Sequence, residues 1–514
     1  MNGAPPKAGR REWLGLAVLV LPVLLVSITV TVLYFAVPFL SIDLRPSGTE
    51  LLWIVDIYAF LLAGLLIAMG SLGDRIGRRK LLLWGAAAFG LTSAAAAYAP
   101  SAELLIVARA LQGAAAATLM PPTLALIRNM FHDPAQRRTA VALWAASFAG
   151  GSVLGPIVGG WLLEQAWWGV VFLMNVPIML LLLALGPLLL PEYRDPRPGR
   201  FDLWSAVMSL AAVLPVVYAI KQLAGGGAVL EVAGALALGL LFGLGFVRRQ
   251  RRLASPMLDL SLFRDRGFGV SLLTDTLAIF ALVGVFYFVS QYLQMVLGLR
   301  PFVAGLLTLP AAGMALVGAL VGAALVSRFR PGPTIAAGML VACAGFVALA
   351  QVGPGSGDAI LVTGLALLGG GIGVVQALAS DLVVAVAPPE RAGSASAVLE
   401  AATELGGALG VAVLGSMGLA VYRSAFVAPE GLAPEVARVA GETLGGAAGV
   451  AVDLPGHLAD AVLGSARAAF TEGMQLSAVV AAAMLGVAAL LTAVTLRRLE
   501  AGVVPGEDGG RVHP

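Results

Sequence analysis

Apolar runs of roughly 18 residues or more recur fourteen times along the 514-residue chain, near 13–40, 51–70, 81–99, 103–127, 139–163, 167–190, 203–220, 227–247, 270–297, 301–327, 334–353, 359–387, 393–422 and 475–496. A bilayer crossing takes about 20 helical residues at about 1.5 Å rise each, so every run predicts one membrane-spanning helix. Barrel strands would be half as long, and lipid offers no partner to unpaired backbone groups, which leaves helices. The polar stretches between runs are short, with two exceptions. Arg248 to Phe268, "RRQRRLASPMLDLSLFRDRGF", is a basic linker that suits an inside-positive anchor or a regulatory lipid site. Residues 423–474 form a long loop in which Leu458, Val462, Ala466 and Phe470 recur every four residues. That period predicts an amphipathic helix pressed on the membrane surface or on the mouth of the protein.

An even number of spans puts both termini on one face. With that face cytoplasmic, 25 of the 32 Lys and Arg lie in or beside cytoplasmic segments, 6 lie outside, and Arg109 is left within a span. This is the asymmetry expected of a multi-pass protein of the cell membrane. The run from Trp13 to Leu40 is too long for a signal-peptide core and has no small-residue cleavage site, so it reads as the first span.

Composition then removes whole classes. The chain is 59% hydrophobic and 12% charged, against about 25% charged in soluble domains. Its basic residues are scattered over short loops rather than gathered on one domain, so no nucleic-acid partner is expected. Cys343 stands alone and the three histidines (His132, His457, His513) fall in polar segments, which leaves no disulfide framework, metal site or intramembrane histidine relay. No nucleophile-base constellation and no phosphate-binding G-x-x-x-x-G-K-[ST] is visible, so neither an enzyme nor a cofactor is expected.

The charges kept inside spans are the candidate chemistry. Asp56 sits in "ELLWIVDIYAFLLAGLLIAMG", where a carboxylate costs about 2.5–3.5 kcal/mol near the midplane. Either it hydrogen-bonds a neighbouring helix or it binds something. Glu400 and Glu404, in "AVLEAATELGGALG", are four apart on one helix face. Two carboxylates one turn apart in a low dielectric do not both stay ionised cheaply, which suits one of them to carry a proton. A structural role as a protonated donor is the alternative. Asp275, in "SLLTDTLAIF", is a further buried acid, and Arg109 needs an acidic or carbonyl partner.

One loop carries a family signature. "GSLGDRIGRRK", Gly70 to Lys80, lies between the second and third spans, with Gly70, Gly73 and Gly77 for tight turning and Asp74, Arg75, Arg78 and Arg79 as its charges. It resembles the signature loop G-x-L-x-D-R-x-G-R-[RK] of the major facilitator superfamily. A weaker echo, "AALVSRFRP" at Ala323 to Pro331, has Ser327 where Asp74 would fall, as a parallel internal repeat would leave. In "ARALQGAAAATLMPP", Arg109, Gln112 and Gly113 match the family's R-x-x-Q-G. In "GGSVLGPIVGG", Gly151, Gly155, Pro156, Gly159 and Gly160 make a close-packing, kinked helix face that is similar to the family's antiporter motif. Asn175 and Pro177 in "FLMNVPI" fit the sixth span.

Taken together, the chain resembles the fourteen-span drug:proton antiporters, particularly exporters of quaternary ammonium compounds. The resemblance implies an all-α polytopic membrane protein with the major facilitator fold: a six-helix bundle over 1–200, two inserted helices over 201–252, and a second bundle over 253–514 with the long outer loop. It implies a monomer exporting lipophilic drugs, dyes or biocides by alternating access, with small molecules, protons and the lipid bilayer as partners. It places binding or coupling carboxylates at Asp56, Glu400 and Glu404, and gives Asp275 no counterpart. Exporters of dicationic biocides in the family carry further carboxylates in the first and tenth spans, where this chain has Thr29 and Ala315. Monocations or neutral amphiphiles are therefore the expected cargo. An exporter of an endogenous metabolite, antibiotic or lipid would share the fold; a receptor or scaffold is the more distant rival.

Overall fold

The computed structural model describes residues 7–196, 201–253, 256–326, 328–353, 358–388 and 391–496. Fourteen helices among them are long and apolar enough to cross a membrane: α1 (Arg10–Asp43), α2 (Gly48–Ile76), α3 (Arg78–Ala97), α4 (Ala102–Met130), α5 (Pro134–Gln165), α6 (Val170–Leu189), α7 (Leu203–Ala224), α8 (Val229–Gln250), α9 (Arg266–Val296), α10 (Pro301–Val326), α11 (Pro331–Leu349), α12 (Ala359–Val386), α13 (Ala392–Ala425) and α14 (Gly456–Thr495). The expected number of spans is met, and most boundaries fall within a few residues of the apolar runs.

Local chemistry sets the starts. Asp133, Asp202 and Asp265 cap α5, α7 and α9, each carboxylate accepting from backbone amides of the first turn, so these acids do structural duty at helix ends. Ser47 and Glu50 form a capping box at the start of α2, with Glu50 accepting from the Ser47 amide at 2.8 Å. Proline opens α10 and α11 at Pro301 and Pro331, where its missing amide hydrogen costs nothing. The α4 span is broken at Thr118 and Leu119, ahead of Pro121 and Pro122.

In the first bundle α1 packs on α5, α2 on α4 and α3 on α6; in the second α10 packs on α12, α11 on α12 and α14, and α9 on α13. The inserted helices α7 and α8 pack mainly on each other, and α7 also lies along α2 and touches α13. Leu230, Leu240, Leu241 and Leu244 of α8 stay exposed, as side chains facing lipid should.

Three segments are placed more sharply by the structure. The amphipathic stripe of the long loop is not a separate surface helix: Val462, Ala466 and Phe470 are buried in α14, which runs unbroken for 40 residues from Gly456. No helix breaker separates the stripe from the last apolar run, so the helix simply continues beyond the bilayer. The rest of that loop folds into two short helices, Pro434–Glu442 and Leu444–Ala451. The basic linker, expected as an inside-positive anchor or a lipid site, is docked on the protein: Asp259 pairs with Arg391 at 2.9 Å and Leu262 packs with Phe268, Val383 and Val398. Lys221, one residue past the apolar run 203–220, lies in the last turn of α7 and is fully buried. Ser327 of the echo loop lies outside the described residues.

Candidate functional site

The two bundles meet most extensively at one end, and α2 also packs along α13 toward the middle. At the face opposite the termini, one apolar core runs from Tyr34, Leu51 and Leu52 across to Phe288, Phe346 and Met474. Toward the basic face the cores separate, one around Leu19, Leu66 and Phe89, which α13 still joins through Ala408 and Ala412, and a small one around Phe268 and Val383. The antiporter-like motif lies in the joined seam. On one side its glycines let α5 lie against α1: a Cβ on Gly159 would stand 2.2 Å from Val32 Cγ2, one on Gly155 would meet Thr31, and one on Gly151 would stand 2.5 Å from the Leu24 carbonyl. On the other side Gly160 faces Pro301 of α10, and Gly305 faces Pro156, each with backbone 2.5 Å from where a Cβ would be. Glu164 then clamps α10, pairing with Arg300 at 2.7 Å and accepting from the Phe302 amide at 3.2 Å. Ser290 of α9 donates to the Tyr34 carbonyl at 3.1 Å. Among the described residues no hydrogen bond or ion pair joins the first six helices to the last six at the basic face.

Asp56 does not face this space alone. Lys221 of α7 reaches it with Nζ 2.8 Å from Oδ1 and 2.7 Å from Oδ2, and lies 3.6 Å from the centroid of the Trp53 ring. Asp56 is 1% and Lys221 0% exposed. Sequence reasoning missed this lysine, although a signal was there: Lys221 breaks the positive-inside rule, and ends its span at the same face near which Asp56 begins its own.

Arg109 finds its predicted carbonyl and no acid. Its Nε donates to the Ile54 carbonyl at 3.3 Å, one terminal nitrogen to Gln112 Oε1 at 2.7 Å, and its guanidinium lies 4.4 Å from the Tyr58 ring centroid. Gln112 donates to Ser93 at 2.7 Å, Asn175 to Ser93 at 3.3 Å, and Thr29 to Asn175 at 3.2 Å. Thr29, standing where a carboxylate was sought, thus closes a neutral chain that ends at Arg109.

Across from it, Glu400 and Glu404 are half-buried on α13. Neither makes a hydrogen bond or ion pair with any described residue. Tyr58 lies against the Arg109 guanidinium, and α2, which carries Asp56 and Tyr58, packs along the part of α13 that carries both glutamates. These charges therefore share one region between the bundles. Asp275 is 1% exposed and turned toward α13, accepting from Thr403 at 2.9 Å while its Oδ1 has no hydrogen-bond partner. Thr403 stands between the two glutamates in sequence, which ties Asp275 to their helix.

The signature loop is held within its own bundle. Asp74 pairs with Arg78 at 2.7 Å, Arg78 lies 4.9 Å from the Tyr193 ring centroid, and Arg79 donates to the Leu190 carbonyl at 2.9 Å and the Pro187 carbonyl at 3.3 Å. Gly77 has φ +113°, and a Cβ there would stand 2.6 Å from Glu192 Oε1, so glycine is required. Arg75 is exposed, and Gly70 and Gly73 lie beside Pro121 and Pro122.

Two helical bundles closed at one face around buried, partly unpaired charges define an alternating-access membrane carrier. The model of the Major Facilitator Superfamily matches residues 19–411, and the chain belongs to that superfamily. It is 50% identical over 488 residues to the multidrug efflux pump LfrA of Mycolicibacterium smegmatis, covering 95% of this chain and 97% of that one. It is 38% identical to the methyl viologen resistance protein SmvA of Salmonella typhimurium, over 90% and 93% of the two chains. The same fold appears in the crystal structure of a bacterial homologue of the human lysosomal transporter Spinster, in an inward-facing, unoccupied conformation, with a TM-score of 0.67 at 18% identity over 96% of this chain and 98% of that one.

Proposed function

We propose that the protein is a proton-driven multidrug efflux antiporter, exporting lipophilic monocations and neutral amphiphiles. The observation that carries the reading is the state of Glu400 and Glu404: half-buried, without a hydrogen-bond or ion-pair partner among the described residues, and across from Arg109 and Tyr58 in a space closed at one face. Carboxylates so placed are free to hold either a proton or a cation. The names of the relatives at 50% and 38% identity support drug export as the task.

With the basic face and both termini in the cytoplasm, this conformation is inward-open. Cargo enters from the inner leaflet or cytoplasm and displaces protons from the glutamates. The bundles then rock, parting the seam at Glu164–Arg300 and Ser290–Tyr34 and closing the basic face around the signature loop. Protons from outside reload Glu400 and Glu404 and release the cargo. Each charge moved inward yields about 2.3 kcal/mol per 100 mV, so no nucleotide is needed. We divide the chain accordingly at 1–200, 201–252 and 253–514, and take one chain as the working unit.

Cargo valence is the sharpest part of the reading, since methyl viologen, named for the Salmonella relative, is a dication. The test is cargo-induced proton release from proteoliposomes. Addition of ethidium to the wild-type protein is expected to release protons in proportion to binding; export of ethidium with no proton movement overturns the coupling.

A further inference from the structure

One of the two inserted helices, α7, brings a charge to the carboxylate of α2. Among the described residues Lys221 is one of two cations buried within the spans, with Arg109, and it sits 2.7 Å from the α2 carboxylate. We propose that Lys221 is a specificity-determining residue: a resident cation that occupies Asp56 and thereby sets how much positive charge the cargo carries. The proposal rests on the reading of the protein as a cation exporter and deepens it.

The argument is a charge count. Four carboxylates lie buried or half-buried between or behind the bundles (Asp56, Asp275, Glu400 and Glu404), against the cations Arg109 and Lys221. Asp56 and Lys221 cancel each other locally. They are also sealed, at 1% and 0% exposure, so Asp56 reaches cargo through its field rather than by contact. That field is not confined to the pair's own helices, because α2 packs along the segment of α13 that carries Glu400 and Glu404. With Lys221 present, a cation in the cavity meets two unpaired glutamates and a neutral α2 wall. Without it, the same cation meets an additional unit of negative charge.

The effect scales with valence. At a separation of about 10 Å and an effective dielectric of about 20, one unmatched carboxylate is worth on the order of tenfold in affinity per unit of cargo charge. A dication therefore gains about tenfold over a monocation when Lys221 is neutralised. Trp53, whose ring lies 3.6 Å from Nζ, supports the ammonium from its other side. That contact explains how a lysine is held dry without a second acid.

The experiment compares ethidium, a monocation, with methyl viologen, a dication, in proteoliposomes carrying wild type, Lys221→Met, Asp56→Asn, the double variant and Lys221→Arg. Lys221→Met is expected to raise the dication-to-monocation ratio of kcat/KM about tenfold, through KM, while Asp56→Asn moves the ratio the other way. The double variant, with both charges gone, returns to the wild-type ratio, and Lys221→Arg keeps it. A merely structural lysine would lower both substrates together. A ratio unchanged within twofold in Lys221→Met overturns the proposal, as does a raised ratio that persists in the double variant. Should Lys221→Met fail to fold, Asp56→Asn decides by the same criterion. Failure of the broader reading looks different: wild-type protein would then release no protons with either cargo.

Discussion

Asp56 on α2 and Glu404 on α13 lie on two helices that pack against each other, yet their surroundings are opposite in kind. Asp56 has a dedicated ammonium at 2.7 Å and no exposed surface to speak of, whereas Glu404 and its neighbour Glu400 make no hydrogen bond or ion pair with any described residue. The difference separates two jobs. A sealed ion pair must be broken before either member can take a proton or a drug, and breaking a buried pair costs about 3–5 kcal/mol. An unpartnered carboxylate can change its protonation state or its occupant without disrupting anything else. The α13 glutamates thus suit turnover, and Asp56 suits a fixed field.

The comparison breaks most easily at α13. Replacing both glutamates, Glu400→Gln and Glu404→Gln, is expected to lower proton-driven efflux about a hundredfold or more, the scale of losing a positioned acid-base group, with abundance and thermal midpoint near wild type. Gradient-driven export that survives in this variant would remove the glutamates from coupling. Asp56→Asn should show the reverse pattern in stability. It strands a buried lysine, so unfolding becomes easier by about 3–5 kcal/mol, and adding Lys221→Met should recover most of the loss. Equal thermal midpoints for wild type and Asp56→Asn in detergent would mean that the pair is not what the geometry makes it.

A smaller effect distinguishes the signature loop from the seam. Among the described residues the Asp74 side chain pairs in this conformation with Arg78, one turn away and partly exposed, a contact worth about 0.3–0.5 kcal/mol. If that were its whole role, Asp74→Asn would change turnover by no more than about twofold. We expect a larger fall in turnover with binding nearly unchanged, because the loop would meet the second bundle only when the basic face closes. A loss confined to binding would argue against a gate.

Much of this was legible in the sequence because the bilayer is a strict solvent. Helix number, helix type and the identity of the buried acids follow from apolar length and from the cost of charge in lipid, and the glycine spacing of α5 announced a close-packed face that meets both α1 and α10. What stayed hidden depends on tertiary placement. Lys221 lay at the edge of an apolar run, and only the packing of α7 on α2 puts it beside Asp56. Glu164 and Arg300 were ordinary end-of-span charges until α5 and α10 met. The stripe from Leu458 to Phe470 was correctly amphipathic, but periodicity says nothing about whether a helix stops before the next apolar run or continues into it.

The smallest effect concerns the linker that follows the inserted helices. Asp259 accepts from the Ser261 amide and hydroxyl at 3.0 and 2.7 Å and pairs with Arg391 at 2.9 Å, fastening the linker to the basic-face end of α13, the helix that carries the glutamates. The Ser261 hydrogen bonds, with the Arg391 charge, hold the Asp259 carboxyl below its ordinary value. A depressed carboxyl contributes stability above its unfolded value, near pH 4, and loses that contribution as pH falls through the still lower folded value. Because the pair is largely solvated, Asp259→Asn should cost at most about 0.5 kcal/mol. Its thermal midpoint should run parallel to wild type and slightly below it from pH 6 to 8, and the two should converge below about pH 4. A gap that widens toward acid would place the stabilising charge elsewhere. A gap of several degrees at neutral pH would mean that the linker braces α13 more firmly than a solvated pair can, which would bring this peripheral contact into the same mechanical unit as Glu400 and Glu404.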